Sequence, residues 1–310
     1  NRCYPIEAKM KILPWQSDID SQLEISNCDK EICRQKNKAG EDIATYTHRK
    51  KEEKSRIQLS QLKNSSSAIF KDFLCCLLDL SYHDRKFFLQ FLKFGLNERS
   101  VEILQPLYEK YQKCRSNMDA GDKDQEEELD SISAALRTAS LGLENFFREM
   151  AVMYENLYVL HDKTKNNDIE GIMIRLAEIM AEVVLDGMAF EILDGDAMNC
   201  RIEWLKAVLE QIQCQHEKEA RIFRVSVLGA QSCGKSTVLN TAFGLNFPVS
   251  SGRCTRGAYM QLVKIDSKLS EILNCEYVLV IDSEGLMSRA LDNRPTYDNE
   301  LATLIIGLSD

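Results

Sequence analysis

Gly229-Ala-Gln-Ser-Cys-Gly-Lys-Ser236 sets two glycines, two hydroxyls and a lysine between apolar flanks. Core filling calls for no such combination, but holding a phosphate does. The spacing fits G-x-x-x-x-G-K-[ST] at every fixed position. Gly229 and Gly234 let the backbone curl so that the N–H groups across Ala230, Gln231, Ser232 and Cys233 point at an anion. A helix starting near Lys235 adds its positive end, Lys235 reaches the outer phosphates, and the Ser236 hydroxyl can ligate Mg²⁺. Thr237, in the first helical turn, completes the expected phosphate-binding set.

Asp282-Ser-Glu-Gly285 directly follows YVLVI, which is apolar at every position, as a strand buried on both faces should be. At the carboxyl end of such a strand Asp282 stands beside the loop of a neighbouring strand. There it can hold Mg²⁺ through water, while the Gly285 N–H can meet a terminal phosphate. Between these motifs, SSGRCTRGAY places Thr255 where a loop could bring a hydroxyl to the metal only in the presence of the terminal phosphate. A polar Ser/Gly-rich loop is the plainer reading of the same stretch. Arg253 and Arg256 read either as phosphate-stabilising cations or as solvated side chains. The expected Mg²⁺ set is therefore Ser236, Thr255 and Asp282, and no Ser/His/Asp or paired-carboxylate constellation supports another hydrolytic chemistry.

These groups need a sheet to hold them. IFRVSVL, AYMQLVKI and YVLVI read as strands and STVLNTAFG as a helix, so residues 222–310 carry an α/β signature. Residues 67–221 read as a helical domain. IFKDFLCCLLDL, HDRKFFLQFLKFGL and SVEILQPLYEKYQKC suggest three short helices, with Cys75 and Cys76 in the core. After the acidic run Met118 to Asp130, Leu129, Ile132, Leu136, Leu143, Phe146, Met150, Met153, Leu157 and Leu160 give one apolar face of a longer helix. IEGIMIRLAEIMAEVVLDG is a helix with a glycine stop at Gly187, Asp194 to Asp196 make a turn, and IEWLKAVLEQIQ is a further helix. Residues 1–66, polar and lysine-rich, read as a solvated, disordered arm with at most short helices.

The net charge of −9 lies almost wholly before residue 222 and argues against a nucleic-acid partner. Eleven scattered cysteines, without a signal peptide, suggest reduced thiols and a cytoplasmic or nuclear setting. Cys28, Cys33 and His48 lack a second close pair and do not read as a zinc site. No apolar stretch approaches the roughly 20 residues of a transmembrane segment. The first residue, asparagine, suggests a start inside a longer product.

RVSVLGAQSCGKSTVLNTAFGLNFPVSSGRCTRGAYMQL, YVLVIDSEGL and DNELATLIIGL resemble the GTP-binding domain of the interferon-induced very large GTPase family, which includes the up-regulator of cell proliferation. LENFFREMAVMYENL, RLAEIMAEVVLDGMAFEILDGDAMN and IEWLKAVL extend the likeness over about residues 70–310. The GxQSxGKS loop and SG-x-x-TR are also similar to dynamins, and DSEGL to the DTEGL of guanylate-binding proteins and atlastins.

This resemblance implies a mainly α region followed by an α/β P-loop NTPase, or G domain. It further implies GTP and GDP binding with Mg²⁺, slow-to-moderate hydrolysis, conformational switching and homo-oligomerisation through G domains. In the dynamin-like pattern the loop Gln and Ser position the attacking water and a monovalent cation such as K⁺, which here points to Gln231 and Ser232. Guanylate-binding proteins carry an arginine finger in that loop; this chain has Ser232 there. A nucleotide-binding scaffold or pseudo-GTPase acting through its helical region is the alternative, and an ATPase of another P-loop class is a third reading. The N/T-K-x-D motif that selects guanine lies beyond Asp310, so base choice rests on the resemblance. The G domain is expected to be truncated on its C-terminal side, with an exposed strand edge and lowered stability.

Overall fold

The structure, a computed structural model, describes residues 13, 18–35, 42–63, 67–116, seven positions between 128 and 139, 141–195, 197–215, 221–230, 233–245, 247, 257–283, 285 and 295–310. Two helices, α1 (Ile19–Gln35) and α2 (Ile43–Lys63), pack on one another where a disordered arm is expected. Their polarity hides the packing face. Ile25, Cys28 and Ile32 are buried, but so are Gln22, Gln58 and Gln61, which hydrophobic periodicity cannot detect. Lys54 pairs with Asp29 at 2.7 Å and Lys50 with Glu31 at 2.8 Å across the two helices.

Helix α3 (Ala68–Asp79) starts at Ser67, whose hydroxyl accepts from the Phe70 N–H at 3.0 Å. It buries Phe70, Phe73 and Leu77, at steps of three and four, and this phase leaves Cys75 exposed and Cys76 half-buried rather than in the core. The next two expected helices are one, α4 (Tyr82–Ser116), with Pro106 inside it. Buried Arg85 holds the α3–α4 junction by donating to the Leu77 and Leu80 carbonyls, each at 2.9 Å. On the outer side of α4, Phe87, Phe91 and Phe94 are exposed.

The long apolar face expected from Leu129 is interrupted at Gly142, where α5 (Leu143–Thr164) begins. Asn145 caps that start by accepting from the Gly142 N–H at 2.9 Å. Helix α5 is also not one-sided, because every residue from Leu143 to Tyr154 except Glu144 is buried. It is a central helix. Asn156 donates to Gln61 of α2 at 3.1 Å, Arg148 reaches the sheet, and α6 (Asn167–Leu185) lies alongside. Gly187, at φ +82°, follows the end of α6, as its glycine stop suggests.

The sheet has the order β1-β3-β4-β2. Strand β1 (Phe190–Leu193) is absent from the sequence reading because four residues beside a turn give too short an alternation to register. It comes from the helical segment and pairs antiparallel with β3 (Ala258–Lys264), so the sheet straddles the 221/222 border drawn from sequence. Helix α7 (Ile202–Cys214) links β1 to β2 (Ile222–Val227), which runs parallel to β4 (Tyr277–Ser283); β4 is antiparallel to β3. Helix α8 (Lys235–Phe243) follows β2, α9 (Ser267–Leu273) separates β3 from β4, and α10 (Pro295–Gly307) closes the chain.

The larger core joins α3, α5, α6, α7 and α10 to one face of the sheet; Leu239, Leu245, Phe247, Val278 and Val280 form a second core. Strand β2 is an edge strand with Ile222 and Phe223 about 40% exposed, where Asp310 donates its N–H to the Arg224 carbonyl at 3.2 Å. Among the described residues no helix is long and apolar enough to cross a membrane.

Glu155 on α5 accepts the Trp204 N–H at 3.0 Å, yet burial pushes its carboxyl pKa above the usual 4.5. A raised carboxyl pKa marks folded-state stability that is fully present below the unfolded value and lost as pH rises through the folded one. Glu155→Gln, which keeps an acceptor, is therefore expected to raise Tm at pH 7. The gain should shrink towards zero below pH 4.5, as thermal melts across pH 3.5–7.5 will show.

Candidate functional site

Strand pairing does the first part of the assembly. Val227, the last residue of β2, is in register with Asp282 of β4 in a parallel pair, so the chain leaves β2 towards Gly229 beside the carboxyl end of β4. Gly234 then adopts φ +81°, a left-handed conformation that costs glycine little, and caps α8. Its carbonyl accepts from the Val238 N–H at 2.9 Å, and the helix proceeds from Lys235. Gly229 is closely approached: a Cβ there would lie 3.3 Å from Cys233 Sγ and 3.7 Å from Lys235 Cδ.

Lys235 is buried to 9% exposure, and its Nζ donates to the carbonyls of Gly229 at 3.1 Å and Ala230 at 2.9 Å. The ammonium thus lies against the first two residues of the loop. One residue on, Ser236 Oγ donates to Asp282 Oδ2 at 2.6 Å, with Asp282 fully buried and Ser283 Oγ donating to the Val227 carbonyl at 3.0 Å. A hydroxyl and a carboxylate at the head of a helix, next to an ammonium, form a hard-oxygen donor pair of the kind Mg²⁺ takes together with phosphate oxygens and water. The donor set fits that ion. Ser236 and Asp282 would hold it, and Lys235 and the loop N–H groups would face the phosphates.

Of the sequence-predicted residues, Gly229, Ala230, Cys233, Gly234, Lys235, Ser236 and Thr237 occupy one loop and helix start, and Asp282 is joined to them by hydrogen bonding. Cys233 and Thr237 are exposed, and Gly285 is buried just past β4. Gln231, Ser232, Thr255, Arg253 and Arg256 lie outside the described residues. Sequence reasoning missed Asn240. Its side chain accepts from the Phe247 N–H at 2.9 Å and donates to the Phe247 carbonyl at 2.8 Å, fixing where the chain leaves α8. An asparagine in a helix carries no such signal, because its partner lies beyond a glycine turn.

The chain matches the URGCP-like GTPase domain over residues 29–310. It belongs to that family. The match begins well before residue 70, so it takes in most of the α1–α2 pair. The chain is similar to interferon-induced very large GTPase 1 of Mus musculus, 33% identical over 91% of this chain and 12% of that protein. The Homo sapiens protein of the same name is 32% identical over 98% of the chain and 13% of its own length. The up-regulator of cell proliferation of Bos taurus is 29% identical over 92% and 30% respectively. The chain thus spans less than a third of the curated relatives it matches, and no solved structure matches it.

If Asp282 and Ser236 hold the metal, Asp282→Asn should raise the Mg²⁺ concentration for half-maximal mant-GTP binding by about 10- to 100-fold. Nucleotide affinity in EDTA should stay unchanged, and a fluorescence titration against Mg²⁺ reads both.

Proposed function

We propose that this chain is the nucleotide-binding part of a large GTPase, which binds GTP with Mg²⁺ on the loop 229–237 and hydrolyses it. The 2.6 Å hydrogen bond between Ser236 and Asp282 carries the reading, because it unites two motifs 46 positions apart around one donor pair beside Lys235. Guanine as the base follows from the family and from the names of the relatives. In this reading the loop N–H groups and Lys235 orient the β- and γ-phosphates, and Ser236 and Asp282 hold the metal, which when bound neutralises phosphate charge. Gln231 and Ser232, by their dynamin-like positions, orient the attacking water and a K⁺ ion, and the Gly285 N–H meets the terminal phosphate. Thr255 joins the metal set in the GTP state, and the resulting change favours self-association between G domains.

Titration of the chain with mant-GTP and mant-ATP tests the base, and preference for ATP would discard the reading. Lys235→Ala should weaken mant-GTP binding about tenfold to a hundredfold, the usual loss of a charged hydrogen bond. Phosphate release should be accelerated by K⁺ relative to Na⁺. Binding without release would instead leave a nucleotide-dependent scaffold.

A further inference from the structure

A transverse row of residues crosses the sheet at the level of the site. Val227 pairs with Asp282, Asp282 with Tyr259, and Tyr259 with Glu191. Directly paired residues share a face with Cβ atoms about 5 Å apart, so the row runs from the candidate metal ligand to the strand supplied by the helical segment. There the Tyr259 hydroxyl donates to Glu191 Oε1 at 2.9 Å and accepts from Arg148 Nη2 at 3.1 Å. Arg148 Nε also donates to both Glu191 oxygens, at 3.0 and 2.9 Å. Tyr259 and Arg148 are each 8% exposed, and Arg201 extends the cluster, 3.0 Å from Asp194 and 3.6 Å from Glu191.

A second contact fixes the start of β3. Gly257, at φ +68°, sits so close to the turn after β1 that a Cβ would lie 2.1 Å from the Leu193 carbonyl oxygen and 2.6 Å from the Gly195 nitrogen. Two residues further along the Tyr259 face, Gln261 donates to the Gly187 carbonyl. Strand β3 is therefore held to the helical segment at three levels, and Thr255 precedes the first of them by two positions in sequence.

We propose that Tyr259, Glu191 and Arg148, with Gly257 seated on the Leu193–Gly195 turn, position β3 beside Asp282 and so couple nucleotide binding at Ser236 and Asp282 to the packing of β1 on α5. The inference rests on the nucleotide reading above. A buried ion pair does not loosen by degrees, since separating its members strands a charge away from water. In this proposal the cluster is a contact either made or broken, the kind of element that coupling between two sites needs. Tyr259 is a positioning residue: it acts on the site through its neighbour Asp282.

Amide hydrogen exchange of the whole chain, with and without saturating GTPγS and Mg²⁺, tests the coupling. Residues 148–154 and 190–195 belong neither to the loop 229–236 nor to β4, yet their exchange should slow about fivefold or more on nucleotide binding. Tyr259→Phe, which keeps the ring and deletes the hydroxyl, should bind saturating nucleotide and lose that slowing. A purely structural tyrosine would alter exchange without nucleotide but leave the nucleotide-dependent difference intact, and that result overturns the inference. So does wild-type slowing confined to residues 229–245 and 277–283, a measurement that requires no variant to fold. In Lys235→Ala the slowing should shrink in proportion to the lost occupancy when GTPγS is held near the wild-type Kd. Absence of mant-GTP binding by the wild type removes the nucleotide reading and the coupling together; binding with unchanged exchange at 148–154 removes the coupling alone.

Discussion

Two opposite charges buried between a helix and a sheet edge constrain everything around them. Removing Arg148 and Glu191 from water costs several kcal/mol per ion unless their hydrogen-bonding capacity is filled. Here it is filled from three elements: Arg148 from α5, Glu191 from β1 and the Tyr259 hydroxyl from β3. Burial pushes the Glu191 carboxyl up against the opposing pull of Arg148. It also opposes the charge on Arg148, but Glu191 and Asp194 outweigh it and hold that guanidinium well above its ordinary value. While it is closed, such a cluster tolerates one arrangement. It sets the position of β1 on the sheet, of the sheet against α5, and of the turn that presses on Gly257.

With β3 placed, the site needs little more than strand register. The parallel β2–β4 pair brings Val227 level with Asp282, and the left-handed turn at Gly234 starts α8 so that Ser236 meets that carboxylate. The candidate site stands at the carboxyl end of two neighbouring strands, where open α/β sheets place their ligands. Helices α2 and α4 pack on α5, through contacts such as Asn156–Gln61, and reach the site only by way of that central helix.

The loop, its lysine and the carboxylate at the end of β4 were legible in the sequence because each is written in neighbouring residues of restricted type. So were β2, β3, β4, α6 and α8, whose apolar runs and glycine stops match their elements. What was not legible shares a physical cause: the information lies between distant segments. Strand β1 is four residues long and exists as a strand because β3 pairs with it. Helices α1 and α2 bury glutamines as well as aliphatic side chains, and their ion pairs link charges that look solvated in one dimension. Helix α5 carries Arg148, Asn145, Asn156 and Glu149 into the interior, so a search for one apolar stripe misjudges which sides are covered. The fusion of two expected helices into α4 went unseen because Gly95 and Pro106 punctuate a sequence that stays helical through both.

The ammonium of Lys235 is already engaged, by the carbonyls of Gly229 and Ala230. Any incoming anion must outbid two partners from the same chain, so the net gain is a difference between similar contacts rather than the full strength of a new one. In exchange, the backbone at Gly229 and Ala230 is held against the start of α8 before any anion arrives. At those two residues little ordering entropy remains to be lost at the moment of capture, and selectivity falls to what their carbonyl oxygens cannot imitate, a full negative charge.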